Sequence, residues 1–549
     1  MNRAAFTGAA ILAAALAAGP AAAQMSHGSE EAPKAPLFEN LGALHRPITT
    51  RSEMAQKYFD QGLAWMYGYN LEEAQRAFEE AARLDPECAS CWWGVGLALG
   101  PHFNLPALPD RTVAANAAAQ KALALKSKGS PVEQALIGAL VKRYADPAPE
   151  DPAVQRGLDS TYAVAMRQVW KKYPADDDVG TLMCEALMDL YPWDLYDGAG
   201  KPRPVTPEVL ATLEKILKRN PNHVGANHLY IHAVEPVAPM KALASAERLG
   251  TMSPAAGHLV HMPSHIYGRI GEYVKSTESN RKAVESDKAY VAKAGPQGYY
   301  RMYMAHNHHF LAWSAMMEGR RGDALQHARE TQQTIPVEML KEMPGMDFFW
   351  AETDQVMLRF GMWDEILSLP PPPDIPFLQG TRHFIRGMAY AAKGNLGAAG
   401  RERDSLAAIH AATPPEGMQN VNPSKVLLGI ALDALDGDMM GRGNAPDNAA
   451  AKYRAAIAAE DGQRYTEPPD WPLPIRHWYG AMLLSAKRDK DAEAVYREDL
   501  KRWPENAWAL RGLEQALNSQ GKMAEAEQVN QRAKKAWQRA DVQVTGSRE

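Results

Sequence analysis

The chain has 549 residues, of which 46% are hydrophobic and 23% are charged, values that are ordinary for globular proteins. Its 60 Lys and Arg stand against 65 Asp and Glu, a formal net charge of −5. With this weakly acidic balance and no long basic run, there is no electrostatic case for nucleic acid or an anionic membrane as a partner. The length allows a large core, either as several domains or as one repeat array.

Residues 1–23 have the features of a secretory signal peptide. Arg3 supplies the charge, an apolar stretch follows to about Ala18, and small residues precede Gln24. The apolar stretch is too short to span a bilayer, and no later segment approaches the roughly twenty apolar residues that a membrane helix needs. We therefore expect a cleaved leader and a mature protein that is periplasmic or secreted.

Residues 24–50 are polar and contain prolines, which predicts an extended lead-in. Cys88 and Cys91 then form a CxxC at the start of an apolar segment, while Cys184 stands alone. The CxxC is compatible with a local disulfide or with two thiols, and the sequence does not decide between them.

A helical repeat begins at about residue 55. Its large, small and aromatic positions are occupied in order by Tyr58, Gly62, Trp65, Ala74, Phe78, Ala81 and Pro86. This spacing resembles the tetratricopeptide repeat, a 34-residue helix–turn–helix in which small residues let two helices approach and proline ends the second. The pattern returns near the other end at Gly480, Leu483, Ala492, Tyr496 and Pro504.

The resemblance implies an all-α fold, a tetratricopeptide-like solenoid of helical hairpins with irregular Pro-rich insertions. We expect N-terminal hairpins over 51–130, degenerate helical repeats over 131–360 and C-terminal repeats over 361–549. Pro-rich segments predict loops at 101–110, 145–152, 369–377, 413–423 and 467–474.

Nine of the sixteen histidines lie between His223 and His309. Residues three or four apart share one face of a helix, so clusters with that spacing can aim several imidazoles at one place. Imidazole is also the commonest protein ligand for zinc, copper and iron. The predicted metal ligands are His228, His232, His258, His261, His265, His306, His308 and His309. Other histidines, among them His102 and His327, are isolated in the sequence.

Glu235, three residues after His232, is the candidate catalytic residue. It could coordinate the metal, orient a ligand or act as a general base. Pro263 lies between His261 and His265, so the helix should kink or begin there. Our hypothesis is that this break aims both histidines at a common centre.

In ligand pattern alone, the two HxxxH pairs and the separate His-rich helix resemble the dinuclear copper sites of tyrosinases and haemocyanins. The leading hypothesis is therefore an exported metalloenzyme, with copper-dependent oxidation favoured and zinc or iron chemistry possible, acting on a small substrate. One alternative is a non-catalytic scaffold that binds a peptide or protein partner, with histidines that are structural or close around a fixed zinc. Another is a periplasmic protein for metal storage or delivery.

Overall fold

The computed structural model describes residues 35–295 and 298–548. The predicted leader, residues 1–23, and the first part of the lead-in lie outside these residues. No helix in the described ranges is both long and apolar enough to cross a membrane.

The described chain is predominantly helical and forms two compact units. One unit comprises residues 35–266 with Lys282–Met304, and the other comprises Tyr267–Arg281 with residues 305–548. The blocks expected from the sequence do not coincide with these units. The bounds of those blocks follow from how closely the sequence matches the repeat pattern, whereas the compact units depend on which helices pack together.

The first unit begins with irregular chain and continues as a series of helices with short connections. These helices are α1 Glu53–Tyr67, α2 Leu71–Leu84, α3 Ala89–Ala98, α4 Pro109–Ala124, α5 Pro131–Leu140, α6 Pro152–Lys172, α7 Asp177–Met188, α8 Thr206–Arg219, α9 Val224–Val234, α10 Leu243–Met252 and α11 Gly257–His261. Short 3₁₀ turns occupy Lys126–Lys128, Val141–Arg143 and Pro239–Ala242.

Three helices contain the points at which the chain passes from one unit to the other: α12 Pro263–Ile270, α13 Tyr273–Ala294 and α14 Arg301–Met317. The helices of the second unit are α15 Arg321–Thr334, α16 Val337–Glu342, α17 Phe348–Arg359, α18 Trp363–Ser368, α19 Pro376–Ala392, α20 Leu396–Ala412, α21 Ser424–Arg442, α22 Pro446–Asp461, α23 Ile475–Ser485, α24 Asp489–Arg502, α25 Ala507–Ser519 and α26 Met523–Ala536. Two short strands, β1 Met418–Gln419 and β2 Asn422–Pro423, pair antiparallel.

Local sequence explains where these helices begin. Side chains of Ser52, Asn70 and Asn506 accept the free N–H groups at the starts of α1, α2 and α25. Proline occupies the first turn of α4, α5, α6, α8, α19 and α22, where its missing N–H costs nothing. The five Pro-rich segments form the expected breaks between helices.

The tetratricopeptide-like packing is confirmed at both ends of the chain. Phe78, which is fully buried, lies between Gly62 and Gly94, and a Cβ on either glycine would meet its ring at less than 3 Å. In the second unit Tyr496 lies in the same way between Gly480 and Gly512. In both cases each glycine is sixteen residues from the ring. One aromatic side chain thus fills the space between the first helices of consecutive hairpins.

The structure also decides the question of the CxxC. Cys88 and Cys91 form a disulfide at the start of α3, while Cys184 is a buried thiol whose pKa is raised by burial.

Candidate metal centre

Five of the predicted ligands come together in the first unit. His228 and His232 lie on α9, His258 and His261 on α11, and His265 one turn into α12. None of the five is more than 2% exposed. The two histidine-bearing segments are the first helices of consecutive hairpins, so the cluster joins neighbouring repeats.

The predicted break at Pro263 is present. Helix α11 ends at His261 and α12 begins at Pro263, with Met262 as a turn between them. Proline lacks the N–H that would continue the helix. Across the break, the Nε2 atoms of His261 and His265 lie 2.7 Å apart.

One group of candidate donors is His228, His232 and His258, with one ligand atom from each residue within 4.8 Å of the other two. The Nε2 atoms of His228 and His258 are 3.2 Å apart. Two nitrogens that bind one tetrahedral zinc ion at about 2.0–2.1 Å are roughly 3.3 Å apart. The observed separation therefore matches the spacing that a single metal ion requires.

The outward-facing nitrogens of these rings have defined partners. Nδ1 of His228 lies 2.7 Å from the Tyr67 carbonyl oxygen. Glu235 accepts from Nδ1 of His232 at 3.1 Å with one oxygen and from Nδ1 of His265 at 2.7 Å with the other. Because carbonyls and carboxylates only accept, these three Nδ1 atoms carry protons.

This assignment leaves lone pairs on the inward Nε2 atoms of His228, His232 and His265 when the rings are neutral. It is the arrangement found around metal-binding histidines, whose second nitrogen donates to a carboxylate or a backbone carbonyl. Nε2 of His232 has no hydrogen-bond partner among the described residues. A buried acceptor without a partner costs about 1–3 kcal/mol, a cost that a bound cation would remove.

Burial keeps the rings of His228 and His232 in the neutral form that binds metal. Burial lowers the pKa of His228 well below its usual value, and repulsion from His232 lowers it further. Burial also lowers the pKa of His232, against the opposing effect of Glu235. For Glu235, burial acts to raise the pKa, but charge interactions and hydrogen bonds with His265 and His232 outweigh it and lower the pKa to about 2. At neutral pH Glu235 is therefore a carboxylate, and the rings of His228 and His232 are neutral.

Glu235 is the candidate catalytic residue from the sequence. Both its oxygens are engaged by Nδ1 atoms, and its side chain is only 1% exposed. Among its three expected roles, this geometry favours the orientation of His232 and His265.

Aromatic rings cover the cluster. The ring of Tyr69 lies 4.6 Å from His228 and 5.6 Å from His258, and that of Tyr303 lies 4.6 Å from His258. Phe103 and Trp193 each lie 5.5 Å from His232. The donors thus lie among aromatic rings and are at most 2% exposed.

Tyr69 is held in a conformation that a bulky residue rarely adopts. Its φ is 55°, at the turn between α1 and α2. Corresponding turns elsewhere in the chain place Gly319, Gly394 or Gly521 in the left-handed region. For a residue with a side chain this conformation costs of order 1–2 kcal/mol, so the tyrosine ring is placed over the histidines at an energetic cost.

His102 extends this cover and could not have been found from sequence. It lies in the loop between α3 and α4, 3% exposed, with its ring 4.3 Å from that of Tyr69. The Asn104 N–H donates to its Nδ1 at 3.3 Å, and its Nε2 has no hydrogen-bond partner among the described residues. A lone histidine in a Pro-rich loop carries no spacing signal, and only the folded chain brings it here.

The other three predicted ligands belong to the second unit. His308 lies beside His327 and near Glu330. In the sequence His327 is isolated from the other histidines. His309 packs against Phe348 and Phe349, with Nε2 3.6 Å from a Glu352 oxygen. The half-buried His306 contacts the rings of His309 and Phe310. Successive residues on one helix thus face different partners.

Comparison with known proteins gives similarity of fold only. No protein-family model and no curated protein matches this chain. Among solved structures it is similar to a human IFIT1 dimer with m7Gppp-AAAA, at 14% identity, a TM-score of 0.33 and coverage of 89% of this chain and 91% of that one. It is also similar to yeast Tom70, at 11% identity, a TM-score of 0.28 and coverage of 88% and 91%. Because these identities and scores are low, we infer nothing about the ligands of this chain from them.

Proposed function

We propose that this protein is a helical-repeat scaffold whose first unit is held together by a transition-metal ion. The ion is bound by the Nε2 atoms of His228, His232 and His258, with His261 and His265 beside it. The observation that supports this most is the pairing of Nδ1 atoms with Tyr67 and Glu235, which leaves inward lone pairs. An all-imidazole set suits zinc or copper.

Burial favours a structural role for this metal. The three donors are at most 2% exposed and lie under aromatic rings, whereas a catalytic metal keeps a position open to substrate. The donors come from α9 and α11, which belong to consecutive hairpins. A bound ion therefore cross-links two repeats at a place where hydrophobic side chains normally pack, and its binding energy adds to the stability of the unit.

Stacked helical hairpins present an extended surface on which peptides or proteins can bind. We propose a peptide or protein as the partner. In this scheme the metal keeps consecutive repeats in the register that such a surface needs.

A metalloenzyme is the second candidate, and two observations favour it. Three donors leave a fourth coordination position, as in zinc enzymes with three histidine ligands. A cavity of about 30 Å³ is lined in part by Tyr69, Arg111 and Tyr299, and the Tyr69 ring also contacts His228. It has room for about one water molecule, so a larger substrate would require the lining side chains to move.

Elemental mass spectrometry and thermal unfolding of the untagged full-length chain test the proposal. We expect His258→Ala to lose about one equivalent of zinc or copper relative to wild type and to unfold at a lower temperature. A chelator should lower the Tm of wild type to that of the variant. His410→Ala, in the second unit, is the matched control and should retain both metal and Tm.

Equal metal content in wild type and His258→Ala, together with a Tm that no chelator changes, would overturn the proposal. Two coppers per chain and oxygen-dependent oxidation of phenols, both lost in His258→Ala, would replace the structural role with the enzymatic one.

A further inference from the structure

A second set of metal-binding groups lies within the second unit, on the hairpin formed by α14 and α15. His308 comes from α14, and His327 and Glu330 come from α15. The latter two are three residues apart, so they share one face of their helix. His308 and His327 are 8% and 6% exposed.

The three side chains converge on one point. Nδ1 of His308 lies 2.9 Å from Nδ1 of His327 and 3.3 Å from Oε2 of Glu330. One ligand atom from each residue lies within 4.8 Å of the other two. The imidazole rings stack at 5.1 Å and 28°, so the two Nδ1 atoms sit side by side.

The carboxylate is positioned from outside the cluster. Gln326 donates to Oε1 of Glu330 at 3.0 Å, while Oε2 lies on the side of His308. Engagement of one oxygen by an outer donor, with the other directed inward, is the arrangement that orients carboxylate ligands of metals.

We propose that His308, His327 and Glu330 form a second, independent metal site for a divalent transition-metal ion such as Fe²⁺, Co²⁺ or Zn²⁺. Two imidazoles and one carboxylate on one side of an ion leave its remaining coordination positions open. The Glu330 side chain is 26% exposed, so water or a small ligand reaches those positions. This site differs from the buried cluster of the first unit, where the three proposed donors are all imidazoles.

Cobalt is a suitable probe, because its visible spectrum reports its ligands. The full-length protein is dialysed against Co²⁺, and the bound metal is measured by elemental analysis and by absorbance. We expect His327→Ala to lose about one equivalent relative to wild type. Glu330→Gln, which preserves shape and the contact with Gln326, should raise the Co²⁺ Kd at least about tenfold and alter the visible spectrum.

The His258→Ala variant separates this inference from the proposed function. If both are correct, His258→Ala and His327→Ala each lose about one equivalent, and the double variant loses both. Loss in His327→Ala alone supports the second site and contradicts the first. Circular dichroism and the Tm of the metal-free variants show whether each variant folds. If His327→Ala does not fold, Glu330→Gln still tests the site, because Glu330 is partly exposed and its substitution should not disturb folding. The second site would be overturned if Glu330→Gln bound cobalt with the content, affinity and spectrum of wild type. The same result is required of His327→Ala if that variant folds.

Discussion

The ring of Tyr69 lies 4.6 Å from that of His228 and is carried by a backbone with a φ of 55°. The turn residue between two helices thus serves as a cover for the histidine cluster. Its left-handed conformation resembles that of Lys487, an exposed residue with a φ of 58° in the turn between α23 and α24.

The first prediction concerns this cover. Tyr69→Gly removes the ring and fits the left-handed turn without strain, so the turn should persist while the metal becomes accessible. We expect faster transfer of metal to a chelator in stopped-flow measurements, by about tenfold or more. Lys487→Gly makes the same change at an exposed left-handed turn of the second unit and should leave the rate unchanged. Equal rates in both variants and wild type would show that Tyr69 does not limit access.

The second prediction concerns the carboxylate that orients two histidines. In Glu235→Gln, an amide replaces a carboxylate that accepts from Nδ1 of both His232 and His265. Loss of such an outer partner typically weakens metal binding by about 10–100-fold, and we expect a change of that size in chelator competition. Glu402→Gln is the control, because Glu402 also accepts from a histidine, His383, at 2.7 Å, in the second unit. An unaltered affinity in Glu235→Gln would remove the orienting role.

The third prediction concerns the helix break. Pro263→Ala restores the missing backbone donor and favours one continuous helix through Met262. His261 and His265 should then lose their present alignment, and metal affinity should fall while helical circular dichroism stays nearly unchanged. Proline also begins α22, where Pro446→Ala should change neither property. If Pro263→Ala binds metal as tightly as wild type, the break has no part in aligning the ligands.

The fourth prediction concerns pH and a buried carboxyl in the second unit. Burial raises the pKa of Glu460 from 4.5 to about 7, against the opposing charges of Arg502 and Arg476. The unfolded chain therefore releases this proton at a lower pH than the folded one. Stability should fall as pH rises from about 4.5 to about 7 and then level off.

Glu460→Gln keeps a neutral side chain at all pH values and should remove this part of the pH dependence. Tm measured at intervals between pH 4.5 and 8 should decline less in the variant than in wild type. Parallel curves for the two proteins would mean that Glu460 ionises in the folded chain as easily as in the unfolded one.

The fifth prediction concerns the packing of repeats. In Gly94→Ala the new Cβ would clash with the ring of the fully buried Phe78, an overpacking that typically costs about 1–3 kcal/mol. Gly157 lies on the exposed face of α6 with nothing within 4 Å of a Cβ. Gly157→Ala should therefore be neutral or stabilising by up to about 1 kcal/mol. Denaturant unfolding measures both, and equal stabilities would contradict the role of Gly94.

The sequence by itself determined the helical-repeat fold and much of the first cluster. Gly62, Phe78 and Pro86 indicate the helical hairpin, because close helix packing restricts which residues fit at each position. The HxxxH spacings placed His228 with His232 and His261 with His265, since helical periodicity is a local property. Pro263 predicted the helix break, because the missing N–H of proline is also a local property.

Only the tertiary structure decided which groups from distant parts of the chain meet. The Tyr67 carbonyl, Tyr69 and His102 reach the cluster through packing of helices and loops that are more than a hundred residues away in sequence from His228. His327, isolated in the sequence, becomes a neighbour of His308 through the pairing of α14 with α15. Spacing along one helix predicts one face of that helix, whereas the partner of that face depends on how whole hairpins stack.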